Sequence, residues 1–149
     1  MAARPDIQPT ARATSSARTY SGRHSTRAET TISAEKLSTF LEGSPLADYA
    51  EHILKSPHWS TIIGICWIEQ YHCKRAPYFS PYNFWGIGGS NLHRYKSYEE
   101  GIAAISNLLQ RYEDRGKDTI EEMNGYYVVP ANPNWLNTVI KIKAQVESL

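Results

Sequence analysis

The stretch GICWIEQYHC, residues 64–73, constrains this chain most. Gly64, Ile65, Cys66, Trp67 and Ile68 continue an apolar run that begins near His58, and a carboxylate, Glu69, follows at once. The pattern predicts a helix from roughly His58 to Tyr71 that is apolar nearly all round. Such a helix must be enclosed by its neighbours. A mostly α chain built around one central buried helix follows, and with it a question: why an acid stands at the end of the greasiest segment.

The flanking sequence reads as shorter helices with clear boundaries. Ser33 can cap a helix ending at Glu42–Gly43, with Leu37, Phe40 and Leu41 on one face. Ser44 with Pro45 opens a second, and Ser56 with Pro57 opens the central one. Ser97 with Glu100 forms a capping box before Ile102, Ala103, Ile105, Leu108 and Leu109. Asp118 with Glu121 reads as another box, before a short helix closed by Asn124–Gly125. Asn132 and Pro133 open the last helix, whose apolar positions are Trp135, Leu136, Val139, Ile140 and Ile142. Residues 72–96, rich in proline, glycine and aromatics, read as an ordered loop with room for a short hairpin. No internal repeat is visible.

Residues 1–31 differ in composition. They are rich in Ser, Thr, Ala and Arg, with little that is large and apolar beyond Ile7 and Tyr20. Such a segment buries too little surface to offset its ordering entropy, so the expectation is a flexible basic arm on a domain at 32–149. Its five arginines face only Asp6 and Glu29, a balance of +3 in a chain of net charge +1. An arginine- and serine-rich, acid-poor start is also the composition of a transit peptide. A docking arm that orders on a partner is the functional alternative.

The near-neutral total makes no general case for nucleic acid. No apolar stretch reaches the roughly 18 residues needed to span a membrane, and no secretory apolar region follows the N-terminus. His24, His52, His58, His72 and His93 are scattered and suggest no metal cage; no cofactor motif is found, and GIGGS at 86–90 lacks the lysine of a phosphate loop. Cys66 and Cys73 would stand roughly 10 Å apart along a continuous helix, too far for a disulfide. If the helix ends near Tyr71 a strained bridge comes within reach. Buried or semi-exposed thiols are the expectation.

Glu69 would lie where the core meets a cleft. Apolar neighbours penalise a carboxylate and raise its pKa, and a raised acid can deliver a proton at neutral pH, as glycosidic cleavage requires. The loop after it supplies aromatic faces for pyranose rings at Tyr78, Phe79, Tyr82, Phe84 and Trp85, and polar groups at Asn83 and along Gly86–Gly89. The plain alternative is a helix-terminal Glu bridged to Lys74 or Arg75.

Five pieces in order, ISAEKLSTFLEGSPLADYA (32–50), GICWIEQ (64–70), NFWGIGG (83–89), RYKSYEEGI (94–102) and GYYVVPANPNW (125–135), resemble the glucosaminidases of glycoside hydrolase family 73, bacterial and phage peptidoglycan hydrolases of the lysozyme-like superfamily. The resemblance implies a lysozyme-like α fold of about six helices with a cleft between two lobes. It implies cleavage of β-1,4 bonds beside N-acetylglucosamine in peptidoglycan, with no cofactor. Glu69 matches the family's general acid. Asn83, Phe84, Trp85 and Gly86 match its Asn-Leu-Phe-Gly turn, which shapes the floor of the site. Tyr127 matches a tyrosine that faces the sugar, or Tyr126 if the alignment slips by one. Gln70 and Tyr82 join the substrate-binding set. The competing reading of Phe84 and Trp85 is that they only pin the loop to the core.

One departure matters. Family members often carry a β-lobe with a second acid between the Asn turn and the Tyr-x-Ser motif, whereas here GIGGSNLHRY (86–95) holds no carboxylate. Glu100 is explained by its capping box and Glu99 reads as solvated. A single-acid mechanism is therefore expected, aided by the substrate's N-acetyl group or by the muramyl 6-hydroxyl as in lytic transglycosylases. A base from elsewhere, Asp48 or Glu51, is the third option. The competing functions are a glycan-binding module and a structural subunit of a phage or injection-device particle attached through residues 1–31. Without a secretory sequence, phage lysis or carriage on a virion is the expected route to the cell wall.

Overall fold

The computed structural model describes residues 22–149. The chain is all-α: among the described residues there are six α-helices and one 3-10 helix, and no sheet. Helix α1 spans Ala34–Phe40, a 3-10 helix spans Pro45–Tyr49, and α2 spans Ala50–Leu54. The central α3 spans Trp59–Glu69, α4 Tyr98–Asp114, α5 Ile120–Met123 and α6 Pro133–Glu147. None of these helices is long and apolar enough to cross a membrane.

The caps follow local chemistry. Ser33, Ser44 and Ser97 accept backbone N–H bonds from Lys36, Leu46 and Glu100, and Asn132 accepts from Asn134 and Trp135. Each satisfies amides that a helix start leaves without partners. Two capping boxes differ from expectation. The box before α5 is Thr119–Glu122, one residue later than Asp118–Glu121. Either pair fits the pattern; burial of Ile120 decides the register. The Glu100 carboxylate accepts from the Lys96 amide rather than from Ser97.

Helix α3 is enclosed, with every residue from Trp59 to Cys66 buried. Trp59, Ile62, Ile63 and Ile65 are fully buried, and each such side chain contributes about 1.5–3 kcal/mol of transfer free energy. Helix α6 lies directly along α3. A Cβ on Gly64 would stand 2.9 Å from the Val139 carbonyl oxygen, so only glycine lets the two backbones approach this closely. The two hydroxyls of α3 find partners, Ser60 donating to Glu147 at 2.5 Å and Thr61 to the Thr26 carbonyl at 3.0 Å, whereas the buried Trp59 indole N–H has none among the described residues.

That last bond corrects the expected arm. Residues 22–31 pack against the helices. Thr26 is buried; its amide donates to the Asp118 carbonyl at 2.8 Å, and the Ala28 amide to the Pro57 carbonyl at 2.9 Å. Arg23 pairs with Glu122 at 2.7 Å, Arg27 with Glu113 at 2.7 Å and His24 with Glu121 at 2.5 Å. Apolar content was a poor guide because backbone hydrogen bonds and complementary charge hold this segment. The remainder of the expected arm, residues 1–21, lies outside the described residues.

Candidate active site

Helix α3 stops at Glu69, two residues earlier than expected. Tyr71, His72 and Cys73 then take left-handed backbone angles, with φ of 48°, 60° and 63°. Each such non-glycine residue costs about 1–2 kcal/mol. The turn is held by the His72 amide on the Trp67 carbonyl at 2.9 Å and by a Cys66–Cys73 disulfide with Cα atoms 4.9 Å apart. The expectation of free thiols is thus overturned. It assumed that helical rise separates the two cysteines, whereas the left-handed turn folds Cys73 back beside Cys66.

The turn sets out aromatic surface. His72 stacks on Trp67 at 4.7 Å and 22°, and Trp67 lies against Phe40 at 4.9 Å. Tyr71 is 67% exposed, with the Arg75 guanidinium over its ring at 4.4 Å. Trp67, Tyr71 and His72 face Asn134, Thr138 and Lys141 of α6 across an open groove of about 560 Å³, and Glu69 lines it too.

Glu69 is half-buried and pairs with no cation among the described residues; neither Lys74 nor Arg75 reaches it. Its Oε1 accepts from the Trp135 indole N–H at 3.2 Å. Burial pushes its pKa up from the ordinary carboxylate value, and the indole bond offsets part of that rise. Gly86, at φ 67°, brings loop backbone close to the other oxygen: a Cβ there would stand 3.4 Å from Oε2. Apolar enclosure, one neutral donor and no cation form the environment that makes a carboxyl group hold its proton.

The turn at residues 83–86 is anchored inside the protein. Asn83 is fully buried. Its Oδ1 accepts from the Ile87 amide at 3.1 Å, and its Nδ2 donates to the Ile87 and His93 carbonyls at 2.9 and 3.0 Å. Phe84 and Trp85 are buried, and the Trp85 indole donates to the Ile62 carbonyl at 3.0 Å. These three side chains are committed to the protein and shape the loop that brings Gly86 to Glu69; none of them lines the groove. The loop closes through turns, without the hairpin strands that were an option.

Tyr127 stacks on Trp135 at 5.6 Å and 24°, and its hydroxyl donates to the Trp85 carbonyl. Burial first, then the charge of Glu69, holds its pKa well above the ordinary tyrosine value. Its hydroxyl is thus occupied by the Trp85 carbonyl, and its ring packs on Trp135. Tyr126 packs on Tyr112 at 5.2 Å with Lys117 over its ring. Tyr82 packs edge-on against Tyr98 at 4.8 Å. Tyr78 and Phe79 are exposed on the loop. Tyr78, Phe79, Tyr82 and Tyr126 do not line the groove, and Gln70 caps α3 beside Glu69.

Asp48 and Glu51 are exposed on the 3-10 helix and on α2, and neither lines the groove. The carboxylate found there is Glu69 alone. The expected set lacked Trp135, which was read only as an apolar position. Its sequence signal is chemical, since a buried tryptophan N–H usually finds an acceptor. No family model matches the chain, and neither does any curated protein or solved structure.

Proposed function

We propose that this chain is a peptidoglycan glycosidase of lysozyme-like fold that cleaves a β-1,4 bond beside N-acetylglucosamine, with Glu69 as its general acid. One observation carries the reading. An uncompensated carboxyl group with raised proton affinity stands in a groove walled by stacked aromatic rings. Glu69 gives its proton to the glycosidic oxygen as the bond to the anomeric carbon breaks. The aromatic wall binds pyranose faces, and Trp135 holds the carboxyl in place. With no second carboxylate in the groove, the substrate supplies the nucleophile through its N-acetyl oxygen or the muramyl 6-hydroxyl.

The disulfide suits work outside a reducing cytoplasm, in keeping with action at the cell wall after phage lysis or on a particle. The missing second carboxylate also favours one rival, a module that binds glycan without cutting it. Turbidity loss of purified cell walls separates the two. Wild type should clear the walls, and Glu69→Gln should bind them without clearing. No clearing by wild type refutes the enzyme. Mass analysis of the released ends then distinguishes a reducing N-acetylglucosamine end, a reducing muramic acid end and a 1,6-anhydro end.

A further inference from the structure

The wall of the groove opposite the aromatic stack is a polar row on α6. Asn134, Thr138 and Lys141 follow one another at helical spacing, so they share a face, and all three line the groove. Their register is fixed by two neighbours on the same helix. Trp135 is buried and bonded to Glu69, and Val139 is buried against Gly64. The row cannot rotate away without breaking the core.

Lys141 is the cation of this row. It lies six residues beyond Trp135, about 9 Å further along the helix. It shares the cavity with Glu69 yet forms no ion pair with it, and among the described residues it pairs with no other carboxylate. Nor does it tune the acid, whose proton affinity is governed by burial and the indole. Glu147, the carboxylate further along α6, is taken by Lys143. Lys141 is exposed at the groove, displaced from the acid and without an internal anion among the described residues, so its charge is free to meet an anion on a bound ligand.

We propose that Lys141 reads a carboxylate on the glycan, so that the groove selects an acidic amino-sugar polymer over an uncharged one. This rests on the glycan reading above. The chemical class is a strand of N-acetylated hexosamines bearing lactyl or peptide carboxylates. A neutral chitin-like strand could use the aromatic wall but would leave Lys141 without a partner.

The test measures binding of the full chain to three probes: purified peptidoglycan, the same material with its carboxylates converted to methylamides, and a soluble chitin oligomer. The proteins are wild type, Lys141→Gln and Lys141→Arg. An exposed ion pair is worth up to about 1 kcal/mol, so amidation should weaken wild-type binding by about fivefold. Lys141→Gln should show that loss on native peptidoglycan, no further loss on the amidated form and no change on chitin oligomer; Lys141→Arg should restore it. In clearing assays KM should rise and kcat should hold. The proposal is overturned if Lys141→Gln binds native peptidoglycan as wild type does, or weakens native and amidated forms equally. A Lys141-dependent preference in a protein that never cuts refutes the glycosidase and keeps the assignment; no binding to any probe refutes both.

Discussion

Replacing Trp135 with phenylalanine tests whether the indole governs the acid. The substitution keeps an aromatic ring against Tyr127, which stacks on Trp135 at 5.6 Å, and deletes the N–H that donates to Glu69 at 3.2 Å. A hydrogen bond to a charged group is worth about 1.5–3 kcal/mol. This one is long and its acceptor half-solvated, so about 1.4 kcal/mol is the reasonable figure, roughly tenfold in proton affinity. The sign is fixed. The donor stabilises the carboxylate, so its loss raises the Glu69 pKa further, and the alkaline limb of the kcat/KM profile moves to higher pH. The plateau should fall, because the carboxyl loses the group that orients it. Trimming a side chain that is 2% exposed should also cost about 1–2 kcal/mol of stability. The assay is wall clearing across a pH series, with circular dichroism as the control for folding. An alkaline limb that stays in place or moves to lower pH in a folded variant refutes the assignment.

Three other outcomes follow from the same structure. Because burial disfavours the Glu69 carboxylate, its charge destabilises the folded chain above the ordinary carboxylate range; Glu69→Gln should therefore raise Tm at pH 7 and lose that advantage near pH 4, by calorimetry. Changing Cys66 and Cys73 together to serine opens a loop of sequence separation 7, worth about 2.5 kcal/mol by loop entropy; the left-handed residues 71–73 should then relax, so activity should drop more than Tm explains, and reduction of wild type should match the double variant. Acid should release residues 22–31. Burial holds the His58 pKa below its ordinary 6.5, and its ring bonds the Thr26 carbonyl. Burial would raise Glu122, but bonds from Arg23 and Thr119 outweigh it and hold it at about 2. Both pKa values are depressed by folding, so their contributions fade as pH falls, His58 first below 6.5 and Glu122 from about 4.5 towards 2. Hydrogen exchange at the Thr26 and Ala28 amides should accelerate across that window before the α3 amides do, and equal protection of both sets down to pH 3 contradicts this.

Local rules made much of the architecture legible. Serine and asparagine caps, prolines at first helical positions and the all-round apolar run marked most helix starts and the buried centre, because those signals act within a few residues. Glu69 was legible for the same reason: a charge at the end of a buried helix is a local anomaly. What failed was of longer range. The left-handed turn at residues 71–73 is stabilised by its disulfide and by stacking on Trp67, against local preference, so helical spacing misjudged both the end of α3 and the cysteines. Residues 22–31 are held by partners some 30 to 100 positions away, which composition does not register.

The sequence by itself determined an α chain with one enclosed helix and an acid at its mouth, since periodicity and capping are properties of neighbouring residues. Tertiary structure decided which groups meet that acid. It brought Trp135 to Glu69, turned Asn83, Phe84 and Trp85 inward, tied up the Tyr127 hydroxyl and set Lys141 across from the aromatic wall. Those meetings depend on how closely α6 lies on α3, an approach that Gly64 permits but that only the packed core fixes.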